Sequence, residues 1–125
     1  DKGNDYEPLK AFARAKVHTL VCMGLDNAKL VKEFTGVVPE VVSTDSLEAA
    51  MTASKAAARP GDVVLSGHTH IPRGETVDGV HFWNPGSTTL PKGGFPASYG
   101  VFEAGAFRVF GLDGRLLLEH RPSAA

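Results

Sequence analysis

The first half of the chain alternates between apolar runs and helical spacing. Residues 5–15 read as a helix, with Asp5 at the N-cap, Pro8 in the first turn and Tyr6, Leu9 and Ala13 on one face. Residues 17–23 form an apolar run closed by Gly24, the pattern of a strand. Asp26 can cap a helix over 27–35, whose core face is Leu30, Val31 and Phe34 and which Gly36 stops. Residues 40–43 are a short strand. Asp45-Ser46-Leu47-Glu48 is a capping-box analogue, an acceptor at the N-cap with a carboxylate three residues on. It opens a helix over 46–58 that is expected to bury Leu47, Ala50, Met51, Ser54 and Ala58. Pro60-Gly61 ends it and begins a buried strand over 62–66.

After His70 the helical period disappears. Val77-Asp78-Gly79-Val80 is a hairpin signal, and a strand over 80–84 comes next. Residues 85–97 form a long loop, of a length that is often functional inside a compact domain. Strands over 98–103 and 107–112 flank Ala104-Gly105-Ala106, and Asp113-Gly114 turns the chain into 116–118. The fold class is therefore α/β. A parallel three-strand, Rossmann-like βαβ half is followed by an antiparallel β-meander from about residue 73, packed as one layered domain over residues 1–125.

Composition narrows the function. At 125 residues, 42% hydrophobic and 22% charged, the chain suits one globular domain. A net charge of −1 offers no basic field for nucleic acid or an anionic membrane. Cys22 is the single cysteine, which excludes an internal disulfide, and its apolar setting reads as a buried structural thiol. No apolar run reaches transmembrane length and no signal peptide is evident, so the expected location is the cytoplasm. The chain opens at Asp1 without an initiator Met and reads as excised from something longer.

The chemistry centres on Gly67-His68-Thr69-His70, directly after the 62–66 strand. Loops beyond the carboxyl ends of strands are where open α/β sheets place their sites, and imidazole is the commonest ligand for transition metals. His68 and His70 are therefore the candidate metal ligands. Gly24-Leu25-Asp26 lacks the glycine triad of a dinucleotide loop and reads as a turn. His18, His81 and His120 lie in separate strands, where a hydrogen-bonded or surface histidine is the ordinary reading.

Asp1-Lys2-Gly3-Asn4-Asp5-Tyr6, Val21-Cys22-Met23-Gly24-Leu25-Asp26, Ser46-Leu47-Glu48-Ala49-Ala50 and Pro60-Gly61-Asp62-Val63-Val64-Leu65-Ser66 resemble the C-terminal domain of the D-glutamate-adding muramoyl ligases of peptidoglycan synthesis, over about residues 1–66. The resemblance implies a substrate-binding role for Lys2, toward the D-glutamate carboxylate. The resemblance stops after Ser66, before the family's amino-acid loop, so Lys2 is vestigial and better read as a surface lysine.

Gly67-His68-Thr69-His70-Ile71-Pro72, Asn84-Pro85-Gly86-Ser87, Pro91-Lys92-Gly93-Gly94 and Ser98-Tyr99-Gly100-Val101 resemble the C-terminal part of small bacterial calcineurin-like metallophosphoesterases, over about residues 62–121. The resemblance implies that His68 and His70 serve different ions of a dinuclear site and that Ser87 and Lys92 neighbour the phosphate. Nothing upstream of Gly67 matches the family's Asp-x-His, bridging aspartate or Gly-Asn-His. A bridging carboxylate is what holds two ions about 3.5–4 Å apart.

Two families, each cut in half, meet at one strand. The first expectation is therefore an engineered chimera, a fold without natural catalysis that is not an enzyme and requires no cofactor. The alternatives are a residual metal-dependent phosphoesterase and a histidine-based module that binds Mn, Zn or Ni weakly. The missing first ligase strand leaves a slot in the sheet, because unpaired ladder groups are costly. Residues 99–102 or 116–118 are expected to fill it, or a second copy of the chain would, giving a homodimer.

Overall fold

The computed structural model describes residues 5–24 and 27–122. The chain divides into two compact units, Asp1–Ala57 and Ala58–Ala125. The described residues of the first unit form α1 (Glu7–Lys16), β1 (Thr19–Met23), α2 (Ala28–Phe34), β2 (Glu40–Thr44) and α3 (Leu47–Ala57). Those of the second form β3 (Val63–Leu65), β4 (Arg73–Val77), β5 (Val80–Asn84), β6 (Ser98–Glu103), β7 (Ala106–Gly111) and β8 (Leu116–His120). Among the described residues, none of the helices is long and apolar enough to cross a membrane.

In the first unit, β1 and β2 pair in parallel, with Thr19 opposite Glu40 and Met23 opposite Thr44. The core is Ala13, Phe34 and Val38, against which Tyr6, Val17, Leu20, Leu30 and Val41 pack. Cys22 is buried, and burial pushes its thiol pKa up, as an inert structural thiol requires. The helix starts differ from the sequence reading. Tyr6, not Asp5, is the N-cap of α1, although the Asp5 carboxylate accepts the Glu7 N–H at 3.1 Å. Asp26 lies outside the described residues. Asn27 is the N-cap of α2, and its amide donates to the carbonyls of Gly24 and Thr44 at 3.2 and 3.1 Å, tying the end of β1 to the end of β2. Ser46, rather than Asp45, accepts the Ala49 N–H at 3.1 Å to cap α3.

The parallel sheet of this unit has two strands among the described residues, not the three expected. A two-stranded sheet is too narrow to cover the full apolar face of a helix. Leu47 and Met51 on α3 are exposed instead of buried, and none of the α3 residues is fully buried.

The strand expected to complete that sheet, β3, pairs instead in parallel with β5, with Val63 opposite His81 and Leu65 opposite Trp83. Its pairing goes with the second half of the chain because β5 presents a ladder to both β3 and β4. As a three-residue edge strand, β3 leaves Val63 and Leu65 exposed, not buried as its composition suggested. Strands β4 and β5 form the expected hairpin. Asp78 and Gly79 both adopt positive φ, 52° and 80°, the requirement of a two-residue hairpin turn.

Strands β6, β7 and β8 form a separate antiparallel sheet, so neither 99–102 nor 116–118 fills a slot beside β1. The two sheets of the unit meet through alternate residues. Gly74, Thr76, His81 and Trp83 share one face of the first sheet, and Phe107, Val109, Leu118 and His120 share the facing side of the second. The Trp83 and Phe107 rings stack at 4.8 Å and 5°. Gly74 permits the close approach: a Cβ there would lie 2.7 Å from His120 Cβ and 2.8 Å from Leu118 Cδ2. Gly74→Ala is expected to destabilise the protein by about 1–3 kcal/mol through overpacking, read as a lower urea midpoint at unchanged slope.

Candidate metal and phosphate loop

Because β3 and β5 run parallel and side by side, the chain leaves both at the same end of the sheet. The loop after β3 carries Gly67-His68-Thr69-His70, and the loop after β5 carries Pro85-Gly86-Ser87. The Ser66 N–H still donates to the Trp83 carbonyl at 3.0 Å, so the two loops begin in register.

Asn84 joins them. It is 3% exposed, and its amide nitrogen donates to the Gly67 carbonyl and to Thr69 Oγ1, each at 3.0 Å. Its amide oxygen accepts the Gly86 N–H at 2.9 Å. Thr69 Oγ1 also accepts the Ile71 N–H at 3.3 Å. Gly86 has a positive φ of 81°, and a Cβ there would collide with the hydroxyl of Ser98, which donates to the Pro85 carbonyl at 2.9 Å.

Inside this frame His68 and His70 both hold left-handed backbone, with φ of 70° and 63°. Such a conformation costs a non-glycine residue roughly 1–2 kcal/mol, and it persists only where the surroundings impose it. The two residues flank a single threonine, Thr69. His68 is exposed and His70 half-buried. His70 Nδ1 lies 2.9 Å from the Leu90 carbonyl, which can only accept, so Nδ1 carries the proton and the Nε2 lone pair is left for a ligand. The Lys92 N–H donates to the His70 carbonyl at 3.3 Å, a second tie between the histidine loop and residues 87–92.

Among the other candidates, Ser87 Oγ accepts the N–H groups of Thr89 and Leu90 at 3.3 and 2.9 Å and so shapes the turn that presents the Leu90 carbonyl to His70. Lys92 is exposed in the loop between β5 and β6. Lys2 lies outside the described residues. No group of three or more His, Cys, Asp or Glu that could hold a metal occurs among the described residues.

Sequence reasoning singled out the two histidines as candidate ligands and gave Asn84 no role of its own, although its position at the start of Asn-Pro-Gly-Ser was an available signal. It also read His81 and His120 as unrelated. They meet across the two sheets of the second unit, with ring centroids 5.7 Å apart. Asn84→Ala leaves the Gly67 carbonyl and the Gly86 N–H without their partner. It is expected to lower the unfolding free energy by about 1–3 kcal/mol in urea denaturation of the intact chain.

The model of the calcineurin-like phosphoesterase superfamily domain matches residues 25–106. The chain is 40% identical over 57 residues to phosphodiesterase YfcE of Escherichia coli K12, covering 46% of this chain and 31% of that protein. It is 40% identical over 65 residues to the UDP-N-acetylmuramoylalanine–D-glutamate ligase of Cytophaga hutchinsonii, covering 52% of this chain and 14% of the ligase. The ligase of Salinibacter ruber is 42% identical over 65 residues, with the same two shares. The chain thus spans a minor part of each of these relatives and joins a ligase-like segment to a phosphoesterase-like one. A solved structure of YfcE, a phosphoesterase from E. coli, aligns with a TM-score of 0.52 at 23% identity, over 92% of this chain and 90% of that one, a likeness of fold. The family match and the phosphodiesterase relative overturn the expectation of an engineered fold that has no natural function and is not an enzyme.

Proposed function

This chain belongs to the calcineurin-like phosphoesterase superfamily, and from that membership we propose that it serves metal-dependent phosphodiester hydrolysis, with His68 and His70 as imidazole ligands. The observation that carries the reading is the left-handed backbone at both histidines, imposed by a loop that the buried Asn84 ties down.

The donor set fits a transition metal. Imidazole suits Zn and Ni and binds Mn more weakly, and the outer-shell bond from His70 Nδ1 to a backbone carbonyl is the usual device that fixes the ring of a metal-binding histidine. Two imidazoles fill only part of a coordination shell, and a metal that engages substrate needs open positions. A bound divalent ion supplies Lewis-acid polarisation of a phosphoryl oxygen.

The chain's own residues do the rest. Asn84 and Thr69 hold the loop so that the imidazoles need not reorganise on binding. Ser87 holds Leu90 against His70. Lys92, exposed on a loop tied to the His70 carbonyl, supplies a positive charge that draws the phosphodiester anion.

Release of nitrophenol from bis(p-nitrophenyl) phosphate tests this reading. The wild-type chain is expected to show saturable turnover that depends on added manganese. His68→Ala/His70→Ala is expected to reduce it at least about tenfold. Equal rates in the two proteins, or a rate indifferent to metal, would contradict the proposal. Lys92→Ala is expected to raise KM while kcat stays near wild type, the signature of lost ground-state attraction.

A further inference from the structure

The second unit holds a hydrogen-bond chain that the proposed site does not use. Trp83 Nε1 donates to His120 Nδ1 at 3.0 Å. His120 Nε2 lies 3.1 Å from Thr76 Oγ1, which lies 2.7 Å from His81 Nδ1. Trp83 and His81 come from β5, Thr76 from β4 and His120 from β8, so the chain links the two sheets at their shared face.

Its proton order comes from elementary donor and acceptor capacity. An indole N–H only donates, so His120 Nδ1 must carry a lone pair. A neutral His120 then has its proton on Nε2, where it donates to Thr76 Oγ1. The threonine hydroxyl in turn donates to His81 Nδ1. Each of the three links then joins one donor to one acceptor, and this holds only while His120 is neutral. A proton on Nδ1 of His120 would face the indole N–H donor to donor. A proton on Nδ1 of His81 is tolerable, because the threonine oxygen has two lone pairs and can accept from both rings.

We propose that Trp83, His120, Thr76 and His81 form an acid-sensitive latch between the two sheets of the second unit, closed while His120 is neutral and opened by its protonation.

The surroundings favour the neutral form. Burial lowers the His120 pKa first, the neighbouring His81 lowers it further, and Glu75 on β4 opposes both. On the other face of β7 and β8, Glu119 pairs with Arg108 and Arg121, so those charges are mutually compensated. On β4, Glu75 is itself paired with Arg73. From β7, the residue opposite His120 is the uncharged Phe107. With its folded-state pKa depressed, His120 binds fewer protons folded than unfolded. The latch's contribution to stability is therefore complete above the ordinary imidazole pKa of about 6.5 and is lost as pH falls below it. Thr76 is exposed, which gives protons a route to the chain. The latch also adjoins the metal loop, since Trp83 precedes Asn84 and its carbonyl accepts the Ser66 N–H.

Trp83 is the chain's one tryptophan, so its fluorescence reads the latch directly. The experiment is a titration of the full chain, with chelator and no added metal, from about pH 8 to about pH 5 across the imidazole range. Emission is expected to fall as the His120 imidazolium quenches the indole, and to shift to longer wavelength as opening of the latch admits water to the ring. His120→Asn keeps an acceptor but cannot titrate, and should give a flat profile. His81→Asn should keep the transition. Nitrogen-15 spectra of wild-type histidines at neutral pH, which need no variant to fold, should show the His120 proton on Nε2. A flat wild-type profile, a transition that persists in His120→Asn or vanishes in His81→Asn, or a neutral His120 with its proton on Nδ1 would overturn the proposal.

Discussion

The second unit depends on how one buried amide is satisfied. Asn84 sits at the end of β5 with both ends of its side chain committed, the nitrogen to the loop after β3 and the oxygen to the loop after its own strand. A buried polar group with all its partners rigidifies its neighbourhood, and the same group half satisfied is costly. That asymmetry explains how a short loop can hold two histidines in left-handed backbone. The strain at His68 and His70 is offset by the hydrogen bonds that Asn84 would forfeit if the loop relaxed.

The parallel pairing of β3 with β5 makes this arrangement possible. Only a parallel pair sends both outgoing loops from the same end, and only the register Leu65 opposite Trp83 brings Gly67 within reach of Asn84. The short Val63–Leu65 strand therefore belongs structurally with the β4–β5 hairpin. The ligase-like resemblance runs through that strand to about residue 66, whereas the compact units divide after Ala57. An apolar strand that ends in a loop suits both lineages, and the ladder offered by β5 decides which one it serves.

Local structure was legible in the sequence, and long-range partnership was not. The helices, the strands and the Asp78-Gly79 hairpin could be read from period and turn residues, because those signals act within a few positions. The partner of β3 could not be read, since an apolar triplet fits any open ladder. The exposure of Leu47, Met51, Val63 and Leu65 escaped for the same reason, because burial depends on how wide the opposing layer is. In the candidate site, His68 and His70 stood out by spacing as the proposed ligands. Asn84 did not, because an asparagine before proline and glycine reads as a turn former until the loop opposite it is known. The link between His81 and His120 needed the register of two different sheets.

The central claim is that the loop after β3 binds a metal through its two histidines. Titrating manganese into the intact chain and monitoring the free ion by electron paramagnetic resonance tests it most directly. Signal loss that saturates with the wild-type chain and disappears in His68→Ala/His70→Ala is the result this account predicts. Identical titration curves for the two proteins would contradict it.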